Sequence, residues 1–516
     1  MSKTCCPTKA CAGCPGSAVS RRTFLARAGG ASATGLTLPA LSVATQSPTR
    51  DPIRLAPISA PLKVQPVFAP GRVPVRREKT SWRVWGAFMT AREAAAERER
   101  VEKDLAAMSA SRRVPLEMLP LAVVQSQDQA AVVAKGDHDV LLMYPAAGGG
   151  NRMMQTLMPE GKWSLMFLRH RTGSYYNWHE NIQANYLRRA GDDIVDKGLG
   201  VDDIVVDKPE EVVWRLRALF ALKNVIGKKV LAIGGPWMNV EGGPNNGVAL
   251  AREQFHVEPV SVPYPDLGER IKKARANDAL VKRSESSAGA YLKQKGTTME
   301  TSRDFLARSF LLTDVFRDLM DEFKTDAIAI NQCMGTIMQY ADTTACIPVQ
   351  MLSDEGYTVV CQGDFVATPA NMLLRYISGR PVFLNDPSFT HDRVMVLAHC
   401  TAPRKMDGRN VEPARIMTHY ESDYGAAPKV EMKIGQVITN VIPDFAMRKW
   451  MGVSAEIIGN PFYPICRSQI DVQVKGDWKR VMPEVQGWHW QTVYGDYLRE
   501  MGYAVKKMGI GWNALT

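Results

Sequence analysis

The sequence holds no apolar run approaching the ~20 residues that an α-helix needs to cross a bilayer. It has no G-x-G-x-x-G after the first strand pattern, which counts against a nicotinamide-dependent oxidoreductase. Basic charge is scarce where it would matter. Of the formal net charge of +11, the first 80 residues supply +10, with 12 Lys and Arg against Asp51 and Glu78. The rest of the chain has 52 bases and 51 acids, so it lacks the clustered basic surface that nucleic-acid binding requires. Cysteine is also sparse: Cys5, Cys6, Cys11 and Cys14 crowd the amino terminus, while Cys333, Cys346, Cys361, Cys400 and Cys466 are scattered without a CxxC pair. The scattered five describe no disulfide framework and read as buried thiols. Cys11-x-x-Cys14 has no second CxxC or His pair to complete a metal site.

What is present begins with Ser20-Arg21-Arg22-Thr23-Phe24-Leu25, which matches the twin-arginine export pattern. A mildly apolar Gly/Ala-rich stretch follows, then Ser42-Val43-Ala44 as a small-residue cleavage site. Residues 1–44 are therefore expected to be a signal read by the twin-arginine translocase, placing the mature protein in the periplasm or outside the cell. Residues 45–80 carry seven prolines and are expected to form an extended linker or strap, with ordered structure starting near Ser81.

At 516 residues the chain is long enough for two to four domains. Buried-strand runs alternate with helical patterns at 139–145, 164–168, 228–237 and 327–330, the texture of doubly wound α/β sheets. Residues 91–110 read as a solvated helix, and the glycines at 148–150 as a tight turn. Tyr175-Tyr176-Asn177-Trp178-His179-Glu180 is an aromatic–polar cluster of the kind that stacks on sugars or packs on a surface. Residues 357–386 read as strand, helix and strand, with Asp364 at the carboxyl end of the first strand, where open α/β sheets place ligands. A strand-end acid also commonly caps the next helix. After Asp386 short β runs point to an antiparallel barrel or sandwich. The expected order is a first α/β domain (81–226), a second (227–386) and a carboxyl-terminal β domain (387–516).

Four points in the second half are candidates to converge: Asp364, His399, Arg467 and His489. The motifs Cys361-Gln362-Gly363-Asp364, Met372-Leu373-Leu374 and Ile377-Ser378-Gly379-Arg380-Pro381-Val382-Phe383 resemble the second domain of the L-fucose/L-arabinose isomerase superfamily. There C-E-x-D precedes a helix and I-S-G-x-P-V-F. Gly487-Trp488-His489-Trp490 followed by Tyr494-Gly495-Asp496 is similar to the family's late G-x-H-H-x…G-D motif. The resemblance implies two Rossmann-like α/β domains followed by an antiparallel β-barrel. It also implies a Mn²⁺-dependent aldose–ketose isomerase acting through an ene-diolate on a monosaccharide, with each site built at a boundary of a homo-oligomer. Hard oxygen ligands suit Mn²⁺, and paired carboxylates supply acid and base. By position, Asp364 matches an acidic ligand that also serves catalysis, His489 the late histidine, and His399 the barrel histidine of arabinose isomerases. Gln362, Trp488, Trp490 and Arg467 are the expected sugar-contacting residues.

The departures are specific. The first acidic ligand, which doubles as the proton-transfer residue, belongs shortly after the strand at 327–330. That loop here is Asn331-Gln332-Cys333-Met334-Gly335-Thr336, with no acid before Asp342. Gln362 stands where the family commonly has Glu, and an amide takes up no proton. The expectation is thus a divergent isomerase using Asp364, His489 and Asp342 or His399, with a non-catalytic sugar-binding homologue as the alternative.

Overall fold

The computed structural model describes residues 57–515 except 76, 80–84, 112, 148–150, 183–198, 238–245 and 486. The export signal at 1–44 and the glycines at 148–150 lie outside the described residues.

A first parallel sheet is built on β1 (Leu62–Phe68), with β2 (Leu116–Met118), β3 (Ala122–Val123), β4 (Val140–Tyr144), β5 (Trp163–Leu168) and β6 (Ile204–Val206). Its order is β2-β1-β4-β5-β6, with β3 also paired to β1. β1 falls inside the stretch expected to be a linker, so ordered structure starts well ahead of Ser81. Pro66 within it lacks the N–H that a ladder uses. The register shows how it is admitted: 62–64 pair with β2 and 67–68 with β3, so the ladder on that side changes partner across Gln65 and Pro66. Gln65 Nε2 spans the gap, donating to the carbonyls of Pro66 and Pro120, each at 2.9 Å. Helix α1 (Ala91–Ala110) starts at a Thr90/Glu93 capping box, as its sequence implies. Its buried Glu97 accepts from Arg169 at 2.5 Å and Tyr176 at 2.8 Å, tying it to the end of β5. Helix α2 (Pro209–Val225) covers this sheet.

The second sheet is also parallel: β7 (Lys229–Ile233), β8 (Glu258–Val262), β10 (Ala327–Ile330) and β11 (Thr358–Cys361), in the order β11-β10-β7-β8. Between them, β9 (Thr297–Met299) leaves for a small separate sheet, and helix α3 (Arg303–Phe323) packs on α4 (Cys346–Glu355). β10 and β11 are buried throughout, as parallel strands covered on both faces must be.

Helix α5 (Ala367–Ser378) leaves β11 with all twelve residues buried. The sequence gives it one apolar face, but it is enclosed all round by α2, β11 and a barrel strand. Met372, Leu373, Leu374 and Ile377 are fully buried, each contributing about 1.5–3 kcal/mol.

β12 (Phe383–Pro387) corrects the strand–helix–strand reading of 357–386. It does not return beside β11; it pairs antiparallel with β13 (Val394–His399) and with a late strand. An apolar triplet after a helix does not reveal which sheet it joins, so a boundary at 386/387 cuts through this strand. Past β13, β14 (Ala414–Met417) and β15 (Ala427–Val430) form the small sheet with β9. The closed antiparallel barrel comprises β12, β13, β16 (Val437–Ile442), β17 (Lys449–Gly459), β18 (Ser468–Val474) and β19 (Trp490–Tyr494). Residues 490–494 are thus a barrel strand, and the last helix, α6 (Leu498–Lys507), starts beyond Tyr494. β20 (Gly511–Leu515) runs parallel to β17.

Candidate functional site

The site lies where the end of β11 meets the start of β19. Gln362 and Gly363 both adopt left-handed φ (60° and 65°), turning the chain sharply after β11. At Gly363 a Cβ would sit 3.1 Å from the Asn331 Cβ, so the turn is held against the loop after β10. The Trp237 N–H donates to Gly363 O, and the Phe365 N–H donates to Trp237 O, each at 3.2 Å, fixing the backbone on either side of Asp364. Asp364 Oδ1 then accepts the N–H groups of Val366 (2.7 Å) and Ala367 (3.0 Å) at the start of α5. Its Oδ2 accepts from His489 Nδ1 at 2.6 Å. One carboxylate therefore both caps the helix start and orients an imidazole.

His489 is carried to Asp364 by a close crossing. A Cβ on Gly487 would lie 2.0 Å from Pro443 O, so only glycine lets the chain pass there. Both side chains are nearly inaccessible, at 1% for His489 and 2% for Asp364. The other ring nitrogen, Nε2, is buried with no hydrogen-bond partner. Asp386 Oδ1 lies 3.6 Å from it and also accepts from Trp488 Nε1 at 3.0 Å. This neighbour follows from register: Asn385 pairs with Trp490, and continuing the antiparallel ladder by one residue sets Asp386 against His489. The Trp488 ring lies beside the imidazole, with centroids 5.3 Å apart. Asp386 and Trp488 are both partly exposed, so the site is closed on its Asp364 side and open on its Asp386 side.

The electrostatics follow from this arrangement. Burial pulls the His489 pKa down, but the Asp364 hydrogen bond and the charges of Asp364 and Asp386 outweigh it, leaving it above the ordinary histidine value. His399 goes the other way: burial lowers its pKa, against the opposing charge of Asp386.

The remaining expected residues are distributed unevenly. His399 bonds Thr401 Oγ1 through Nδ1 at 2.7 Å and feels Asp386 and His489 electrostatically. Asp342 stands apart: its half-exposed carboxylate pairs with Arg275 at 2.9 Å, and none of its bonds reaches Asp364 or His489. Asp342 caps its helix in the left-handed conformation, with its carboxylate on Arg275. Trp490 is fully buried in the barrel core and offers a sugar no surface, since β19 points it inward. Arg467 is spent on Thr418, donating to its carbonyl at 2.7 Å and its hydroxyl at 3.0 Å. Gln362 is half-buried at the turn, and Trp488 is the exposed aromatic of the site. Within 175–180, Tyr176 and Trp178 are core residues, while Tyr175 bonds Glu180 and the His170 and His179 rings stack at 4.3 Å.

Sequence reasoning missed Asp386, although it closed the strand on that residue. The signal was its place opposite the His489 strand, which is invisible until β12 is assigned to the barrel. After β10 the loop bears amides in place of an acid: the backbone carbonyl of Asn331 accepts the Tyr264 hydroxyl at 2.9 Å, and the side-chain Oε1 of Gln332 accepts from Thr336 at 2.7 Å.

Among the described residues, no group of three or more His, Cys, Asp or Glu is placed to hold a metal ion. No helix among them is long and apolar enough to cross a membrane. No protein-family model matches the chain, and no curated protein matches it.

Proposed function

We propose that this chain is a divergent sugar isomerase of the L-fucose/L-arabinose type, acting on a monosaccharide at the mouth formed by Asp364, Asp386, Trp488 and His489. The observation that carries the reading is the His489 Nε2 atom, buried and unbonded, facing Asp386 Oδ1 at 3.6 Å while Asp364 holds Nδ1. A carboxylate behind one imidazole nitrogen and an acid beside the other is the arrangement of a metal-binding histidine with its orienting partner. His489 and Asp386 would be the residues to hold a divalent ion such as Mn²⁺. When bound, that ion offsets charge developing on a substrate oxygen.

The chain's own residues then divide the work. Asp364 fixes the imidazole and keeps Nε2 facing Asp386. Asp386 takes the double place that the resemblance gives to the missing first acid, as ligand and as the base that moves a proton between neighbouring carbons. Its partial exposure leaves it reachable by substrate, unlike Asp364. Trp488 offers an aromatic face for the apolar side of a sugar ring and steadies Asp386 through Nε1. In the same reading the two parallel sheets are Rossmann-like domains, neighbouring subunits complete each site in a homo-oligomer, and the protein is exported through the twin-arginine translocase.

A second reading, sugar binding without catalysis, is favoured by Asn331 and Gln332 standing where an acid is expected. The test is incubation of the protein with Mn²⁺ and a panel of aldohexoses and aldopentoses, following ketose by NMR. The isomerase reading expects ketose from at least one sugar and its loss in Asp386→Asn. Sugar binding with no ketose from any member would overturn it in favour of the second.

A further inference from the structure

The five cysteines of the described residues, scattered in sequence, gather in one region. Cys333 and Cys361 sulfurs are 3.8 Å apart. Cys346 and Cys400 pack together with Tyr420 and Cys466 against them. All five are free thiols. Cys333, Cys346 and Cys361 are buried, and only Cys466 is partly exposed.

Two strands set the Cys400–Cys466 approach. His399 pairs with Ser468 in the β13–β18 ladder, and one step further the Arg467 N–H donates to Cys400 Sγ at 3.3 Å. Cys466, the residue before that donor, packs against the buried cluster to which Cys400 belongs. The buried Gln469 side chain pins the segment bearing Cys466: Oε1 accepts from Tyr463 N at 2.8 Å, and Nε2 donates to Tyr463 O and Cys466 O at 2.9 Å each. The buried Cys400 sulfur thus lies on the inner side of Cys466, whose partial exposure leaves it within reach of an external disulfide.

We propose that Cys400 and Cys466 are a redox pair that closes to a disulfide by exchange with an external disulfide. In the first step Cys466 Sγ attacks the external S–S bond, a mixed disulfide forms, and one thiol leaves carrying the Cys466 proton. In the second step Cys400 Sγ attacks Cys466 Sγ, the mixed bond breaks, and the second thiol leaves with the Cys400 proton. The protein dithiol gives up two electrons and two protons, and the external disulfide takes both. Because Cys400 follows His399 directly at the end of β13, the new bond would stiffen the strand end that carries this histidine beside Asp386.

The experiment treats the folded full chain, with Cys5, Cys6, Cys11 and Cys14 each replaced by serine and the remaining thiols fully reduced at the start, with oxidised glutathione, followed by thiol counting and peptide mapping by mass spectrometry. The expected result is loss of two thiols and a Cys400–Cys466 cross-linked peptide, both reversed by dithiothreitol. Cys346→Ser should leave this intact, and Cys466→Ser should abolish it. A stable glutathione adduct on Cys466 with Cys400 still free, a cross-link joining any other pair, or no reaction of the folded starting protein would each overturn the proposal.

Discussion

Replacing Asp364 by Asn tests the bond on which the site is built. The amide keeps the size of the side chain and an oxygen for the Val366 and Ala367 N–H groups, but it removes the charge that faces His489. In the wild type the folded His489 pKa stands above its unfolded value. Its contribution to stability is therefore fully present below the unfolded value of ~6.5 and is lost as pH rises through the higher folded value. In Asp364→Asn the buried ring keeps only the partly exposed Asp386, 3.6 Å from Nε2, as counter-charge, so burial draws its pKa down from the wild-type value. Breaking a buried ion pair by removing one partner costs about 3–5 kcal/mol, the loss expected at pH about 5.5. At pH about 8.5 the imidazole is closer to neutral in both proteins, and the cost should fall toward the ~1–3 kcal/mol of one impaired buried hydrogen bond. Urea unfolding of both proteins at the two pH values, followed by circular dichroism, gives the difference directly. Groups common to both proteins cancel in it. A cost equal at both pH values, or larger at the higher one, would refute the reasoning.

The two tryptophans flanking His489 should separate cleanly. Trp490→Ala opens a hole in the barrel core and should lower stability by about 3–5 kcal/mol, whereas Trp488→Ala should change stability little and weaken sugar binding measured by calorimetry. Burial pushes the Asp354 carboxyl up to about 7, so its contribution to stability falls as pH rises from its unfolded value toward 7. Asp354→Asn should flatten that decline in denaturation curves, and an unchanged slope would contradict the assignment. Arg21→Lys with Arg22→Lys should leave the precursor in the cytoplasm on fractionation and immunoblotting, and continued export would remove the twin-arginine reading.

Much of the site was legible in the sequence because its chemistry sits on element ends. Asp364 follows an unbroken β-branched run, and His489 follows a glycine that only a close crossing explains. Asp386 was not legible as a partner, because an apolar triplet after α5 fits a parallel return as well as an antiparallel barrel strand. The same ambiguity hid Trp490: its inward direction depends on residues 490–494 forming a strand, which their mixed polar and aromatic character does not announce. The parallel strands β4, β5, β7, β10 and β11 were readable from continuous burial, whereas β1 was masked by Pro66, whose accommodation depends on a partner change fixed by distant residues. Asp342 was the nearest acid in sequence, while the acid near His489 arrives from another sheet.

The proposed function rests on His489 and Asp386 as the acting face of a divalent-ion site with Asp364 behind it. Its most direct measurement is Mn²⁺ titration of the purified protein, with the free ion read by electron paramagnetic resonance, for the wild type and for His489→Gln and Asp386→Asn. Saturable uptake of one ion per chain is expected for the wild type, with at least a tenfold weaker affinity in each variant and all three folded by circular dichroism. Wild-type protein that takes up no Mn²⁺, or variants that bind it as tightly as the wild type, would contradict it.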